Sequence, residues 1–170
     1  VVLEEDGTVA ETLTLAYTNP SFGPPQDAGG SYRAYLQVIL PQDATDISVS
    51  VGGLPVRQRQ DARQAAAVPY WESAGAGRIG AAVDVPAGGE RSVSFSWRRG
   101  TALVFGKDGA VYELYDQKQA GAADETWRTI IRYPIFWQVT QEGQEGQEGK
   151  EVFLAKEAQL EYNTRVPGDA

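Results

Sequence analysis

The chain contains no cysteine, no histidine and no methionine. Without cysteine, neither a disulfide nor a thiolate zinc site can form. Without histidine, the commonest metal ligand is missing, and so is the usual base for a serine or cysteine nucleophile. No cofactor is expected. The missing methionine removes a natural start, so the chain is expected to be an excerpt or a processed product of a longer protein. Long apolar runs are also lacking. The densest, around Ile135, Phe136 and Trp137, falls far below the ~18 residues of a membrane-spanning helix. No signal-peptide pattern is present. No direct membrane insertion by these residues is expected, and any anchor would come from a segment outside them. Positive charge is scarce: 15 Lys and Arg stand against 23 Asp and Glu, a net charge of −8. This favours solubility and speaks against nucleic acid or anionic lipid as a partner. Cysteine avoidance fits the outside of a bacterial cell, where unpaired thiols are rarely kept.

What is present is β-strand pattern. The stretch Val111 to Tyr133 reads as strand, loop, strand, and is expected to form the centre of the sheet. Tyr112, Leu114 and Asp116 share one face of its first strand; Trp127, Thr129, Ile131 and Tyr133 share a face of its second. These are aromatic or β-branched residues that suit a pleated, half-buried surface. Between them QKQAGAADE is polar, with Gly121 able to turn the chain.

Other strands follow the same logic. Val1–Glu5 and Val9–Thr18 flank an Asp6-Gly7 hairpin signal. Tyr32–Leu40 has apolar residues on both faces, which predicts a central strand ended by Pro41. Ile47, Val49 and Val51 alternate with serines, and Gly52-Gly53 turns into Leu54–Arg59. Arg78–Val85 is a strand, and Val93, Phe95 and Trp97 alternate with Ser92, Ser94 and Ser96. Ala102–Phe105 reads as a short edge strand before a Lys107-Asp108-Gly109 turn. Strands are also expected over Ile135–Thr140, Glu151–Ala155 and Leu160–Val166. The run 58–67 is the one helix-like segment and is too short for a persistent helix. Residues 141–149 repeat Gln-Glu-Gly three times and are expected to form a flexible loop. About ten to twelve strands and no persistent helix predict an all-β protein. The expected architecture is a single antiparallel β-sandwich domain over residues 1–170, immunoglobulin-like or related, with a closed barrel as the alternative. A chain of this length buries ~70% of its unfolded surface and needs no disulfide staple.

Four phrases occur in order: EEDGTVAETLTLAYTNPS, YRAYLQVILPQDA, ALVFGKDGAVYELYDQKQAGAADETWRTIIRYP and AKEAQLEYNTRV. Together they resemble the C-terminal β-rich region of a bacterial family known as domain of unknown function 4012. Lys118-Gln119-Ala120-Gly121 stands where that family has a Lys-Gln-Pro-Gly-like turn, with Ala120 in place of proline. The Gln-Glu-Gly tract resembles a local insertion. The resemblance implies an extracytoplasmic location in the cell envelope and anchoring through another part of the protein. It carries over no catalytic residue.

Several constellations of side chains have the composition of a chemical site. Glu113 with Asp116, and Glu157 with Glu161, could supply a glycosidase carboxylate pair, but with 23 acids in the chain a solvated surface is the default. Asp43 to Asp46 and Asp108-Gly109 offer oxygen ligands without the alternating spacing of a calcium loop, so turn formation is the simpler role. Lys118 and Asn163 could be joined by an isopeptide bond only beside a buried acid, for which no matched position is visible. Tyr70, Trp71, Phe136 and Trp137 could form a binding face for a sugar or a protein. Equally, Trp71 and Trp137 could be core rings. Lys118 and Gln119 complete the candidate binding residues. The expected function is a non-catalytic assembly or protein-binding module of a bacterial surface protein, not an enzyme. Its expected partner is an envelope protein or polysaccharide. The alternatives are a carbohydrate-binding module or a structural spacer.

Overall fold

A computed structural model describes residues 1–21, 30–58, 70–73, 77–100, 102–107, 109–114, 125–139, 150–153 and 157–166. The described residues are all-β and contain no helix. Eleven strands follow in order: β1 Val2–Leu3, β2 Val9–Thr18, β3 Tyr32–Ile39, β4 Ala44–Val51, β5 Leu54–Pro55, β6 Tyr70–Ser73, β7 Arg78–Val85, β8 Glu90–Arg99, β9 Glu125–Pro134, β10 Lys150–Phe153 and β11 Glu157–Val166. The chain divides into two compact units. Unit 1 comprises Val1–Ala10 with Gly100–Ala170, and unit 2 comprises Glu11–Arg99.

Unit 2 is built from two sheets, one ordered β2-β8-β4-β5 and the other β3-β7-β6. Period-2 alternation decides their inner faces. Val49 and Val51 of β4 and Val93 and Phe95 of β8 bury one set of side chains. Val38 of β3, Ile79, Ala81, Val83 and Val85 of β7, and Trp71 of β6 join them in a single core. The arrangement is that of a β-sandwich. Each fully buried Val or Phe contributes ~1.5–3 kcal/mol relative to exposure. The outer face of β2 and β8 is closed by hydroxyl pairs, Thr12 with Ser96 and Thr14 with Ser94, each at 2.9 Å.

The turns follow the sequence signals. Gly52 and Gly53 both have positive φ, 59° and 79°, as a two-residue type I′ hairpin demands. The β4–β8 ladder slips between Thr45 and Ser48, and Asp46, at φ 51°, supplies the extra residue of a bulge. Asn19 ends β2 and is buried. Its amide nitrogen donates to the carbonyls of Gly30 and Val85 at 3.1 and 3.0 Å, and its Oδ1 accepts from the Ser21 N–H at 3.1 Å. Its backbone exchanges hydrogen bonds with the Gly88-Gly89 turn, both at 2.9 Å. One side chain thereby ties the end of β2 to the approach to β3 and to the end of β7.

Strand β3 is an edge strand, not the central one its two-faced apolar pattern predicts. The central strand is β7, whose Gly80 and Ala82 leave room on the face away from the core. Tyr35 of β3 uses that room. A Cβ added at Gly80 would lie 2.0 Å from Tyr35 Oη. The tyrosine reaches across β7 and donates its hydroxyl to Glu72 Oε1 of β6 at 2.8 Å. An aromatic ring with a polar tip can thus stand on an outer face, so apolar residues on both faces do not require a central place.

In unit 1, β9 and β11 pair antiparallel through ten matched residues, from Glu125↔Val166 to Pro134↔Glu157. β10 continues the sheet beyond β11, and β1 lies parallel to β9 at Val2↔Arg132. Val9, Leu103, Tyr133 and Ala158 are buried here. Arg128 forks onto Glu161, with Nε–Oε1 2.8 Å and Nη2–Oε2 3.2 Å. This hydrogen bond, with the carboxylate's charge, raises the arginine's pKa further above its ordinary value.

The predicted central pair is half right. β9 is a sheet strand, but its neighbours are β11 and β1. Residues 111–114 form no strand, and Val111 is 78% exposed. Ala102–Phe105 likewise makes no ladder, although Gly106 and Gly109 do close the expected turn. Nor do residues 135–139 form a strand. The Trp137 N–H bonds the Pro134 carbonyl at 3.0 Å, so residues 134–137 make a β-turn that carries the chain out of the sheet. The helix-like run from 59, the Pro/Gly loop at 22–29, the loop 115–124 and the Gln-Glu-Gly tract lie outside the described residues.

Candidate functional site

The features that converge in unit 1 begin with a turn. After β1, Glu4-Glu5-Asp6-Gly7 reverses the chain toward β2. The Glu4 N–H bonds the Thr8 carbonyl at 2.9 Å, and Asp6 Oδ1 accepts from the Thr8 N–H at 2.9 Å. Gly7 has φ 86°, and an added Cβ would lie 2.6 Å from the Leu103 carbonyl oxygen. Only glycine fits that position. It lets Leu103 donate its N–H to the Gly7 carbonyl at 3.1 Å, which fixes the segment 103–105 beside the acidic turn.

Two short segments then present large apolar side chains to solvent. Val104 is 78% and Phe105 50% exposed on one; Phe136 is 67% exposed on the other, next to exposed Ile135. Phe105 and Trp137 join the segments, their ring centroids 5.3 Å apart and their planes at 72°. Edge-to-face contact of this kind is the favoured geometry for an aromatic pair and holds both rings in place. A hollow of 310 Å³ adjoins the patch, lined by residues 2–6, Tyr133 and Pro134. Pro134 is common to the hollow and to the turn that carries Ile135 and Phe136.

The sequence-predicted residues fall as follows. Phe136 and Trp137 belong to this patch. Trp71 is only 9% exposed, lies in the core of unit 2 and pairs with Ala81 of β7. A ring so enclosed has no face to offer a sugar. Tyr70 pairs with Ala82 through its backbone. Lys118 and Gln119 lie outside the described residues, as do Asp108, Asp116 and Lys118 of the carboxylate, calcium and isopeptide constellations. Asp43 receives Arg99 Nε at 3.0 and 3.2 Å, and Glu161 holds Arg128. Among the described residues no three acidic side chains gather as metal ligands.

Sequence reading missed Val104, Phe105, Ile135 and the acidic turn. A signal was available. No charged residue occurs between Arg99 and Lys107, or between Arg132 and Glu142. Such uncharged aromatic stretches can be strands in a core, but they can also be exposed loops. Comparison of the chain with protein-family models, curated proteins and solved structures finds no match.

Proposed function

We propose that this chain is a non-catalytic, extracytoplasmic β-sandwich module of a bacterial cell-envelope protein, and that it docks another protein during assembly. The observation that carries the reading is the apolar patch of unit 1, exposed Val104, Phe105, Ile135 and Phe136 with half-buried Trp137 against Phe105. Aromatic residues held rigid at a surface are what protein interfaces use as anchors. The resemblance to the domain of unknown function 4012 family supports the envelope location. The absence of histidine and cysteine from the chain supports a role other than catalysis.

For the fold, the reading is a sandwich related to the immunoglobulin type at the level of architecture. The two-sheet packing of unit 2 supports that reading, while the strand orders, with β2-β8-β4-β5 belonging to an eight-stranded sheet and β3-β7-β6 to a three-stranded one, differ from a constant domain. A carbohydrate-binding module would need Trp71 and Trp137 as two open platforms. The enclosure of Trp71 and the edge-on contact at Trp137 favour a protein partner. A spacer would leave the aromatic patch without an occupant.

The test is binding of the purified chain to separated envelope protein and polysaccharide fractions, with a Phe105→Ser, Phe136→Ser variant alongside. Saturable binding to protein that the variant loses is the expected result. Binding to polysaccharide alone, or turnover of a glycan or peptide, would overturn the reading.

A further inference from the structure

We infer that the docked partner is a basic segment with an aromatic or aliphatic anchor: its apolar side chain lies on the Phe105–Trp137 patch while its arginine or lysine enters the acidic hollow. This rests on the docking reading above and names the chemistry of the partner. Two features side by side carry it. The patch itself is uncharged, since its segments lie between Arg99 and Lys107 and between Arg132 and Glu142. The hollow next to it is lined by Glu4, Glu5 and Asp6 together with Val2, Leu3, Tyr133 and Pro134. They are joined twice, by the Leu103–Gly7 hydrogen bond and through Pro134. On this inference, one short segment places its cation in the hollow and its anchor on the rings.

Charge selects among the possible occupants. Unit 1 holds fifteen acidic residues against seven basic ones, whereas unit 2 holds eight of each. The whole net charge of −8 thus belongs to the unit that bears the patch. A second copy would bring the same Glu4, Glu5 and Asp6 and the same net charge. Anionic lipid would likewise be negative. A basic partner is drawn in at long range and paired on arrival, an attraction that salt weakens. Arginine suits the site better than lysine, because its planar guanidinium can pair with a carboxylate and stack on a neighbouring ring.

The experiment is selection of a random dodecamer peptide library on the full chain, followed by titration of the enriched peptides at low and high salt. Two variants accompany it, Phe136→Ser and the pair Glu4→Gln, Glu5→Gln, each checked for an unchanged melting transition. The expected peptides combine Arg or Lys with Trp, Phe or Leu. Phe136→Ser should weaken them at least about tenfold. The glutamine pair should weaken them about threefold or more and flatten the salt dependence. Enriched peptides that depend on Phe136 but ignore charge and salt would overturn the basic-partner inference and leave the docking reading standing. Peptides indifferent to Phe136→Ser, or no enrichment, would overturn both. Self-association, or binding to phosphatidylglycerol vesicles, that Phe136→Ser abolishes would assign the patch to a second copy or to lipid and overturn the inference.

Discussion

The two units use similar amino acids for opposite ends. Unit 2 gathers eleven buried residues into one core and balances its acids with arginines. Among the described residues, unit 1 buries only Val9, Leu103, Tyr133 and Ala158 among its apolar side chains. Of the eleven large apolar side chains that are exposed among the described residues, it displays seven. Ile39 and Leu54 of unit 2 are exposed too, and neither makes a ring contact like that of Phe105 with Trp137; exposed apolar residues are common on surfaces. Phe105 and Trp137 are in ring contact and exposed Phe136 adjoins Trp137 in the chain, the grouping on which the docking proposal rests. On the docking reading proposed above, unit 1 would carry the binding surface, and the described core of unit 2 would supply structure.

Substitutions can break or sharpen this contrast. The largest effect is expected in the core of unit 2. Phe95→Ala should cost ~3–5 kcal/mol, because it removes a fully buried ring and leaves a cavity. Chemical denaturation would measure it, and a loss below about 1 kcal/mol would contradict the burial. Asn19→Ala should cost ~1–3 kcal/mol by leaving the Gly30 and Val85 carbonyls without their donor. Gly80→Ala comes next, since its methyl would have to displace the Tyr35 ring. About 1–3 kcal/mol is expected, together with a change in tyrosine near-ultraviolet dichroism. The smallest effect on stability belongs to unit 1. Phe136→Ser should shift the transition by no more than about 0.5 kcal/mol, as an exposed position does, while it removes binding.

Much of the fold was legible in alternation. The boundaries of β2 and β7, and the glycine turns at Gly7 and Gly52-Gly53, match their sequence signals because each rests on local geometry. Pairing was not legible. β9 chose β11, some thirty residues on in the chain, and no local feature of Thr126–Tyr133 encodes that partner. Alternation also failed where an aromatic residue has two roles. Tyr35 on an outer face made β3 look central. Ile135-Phe136-Trp137 looked like a strand until the Pro134 carbonyl took the Trp137 N–H. At the candidate site, residue type identified Phe136 and Trp137 but could not separate Trp137 from buried Trp71. What distinguishes those two tryptophans is neighbours distant in sequence, Ala81 for one and Phe105 for the other.

The most direct test compares matched substitutions in the two units. Phe136→Ser in unit 1 and Ile39→Ser in unit 2 each remove one exposed apolar side chain. Both variants would be titrated against the envelope protein fraction under identical conditions. The account predicts at least about a tenfold loss of affinity for Phe136→Ser and no more than about a twofold change for Ile39→Ser. An equal loss in both, or a loss confined to Ile39→Ser, would contradict it.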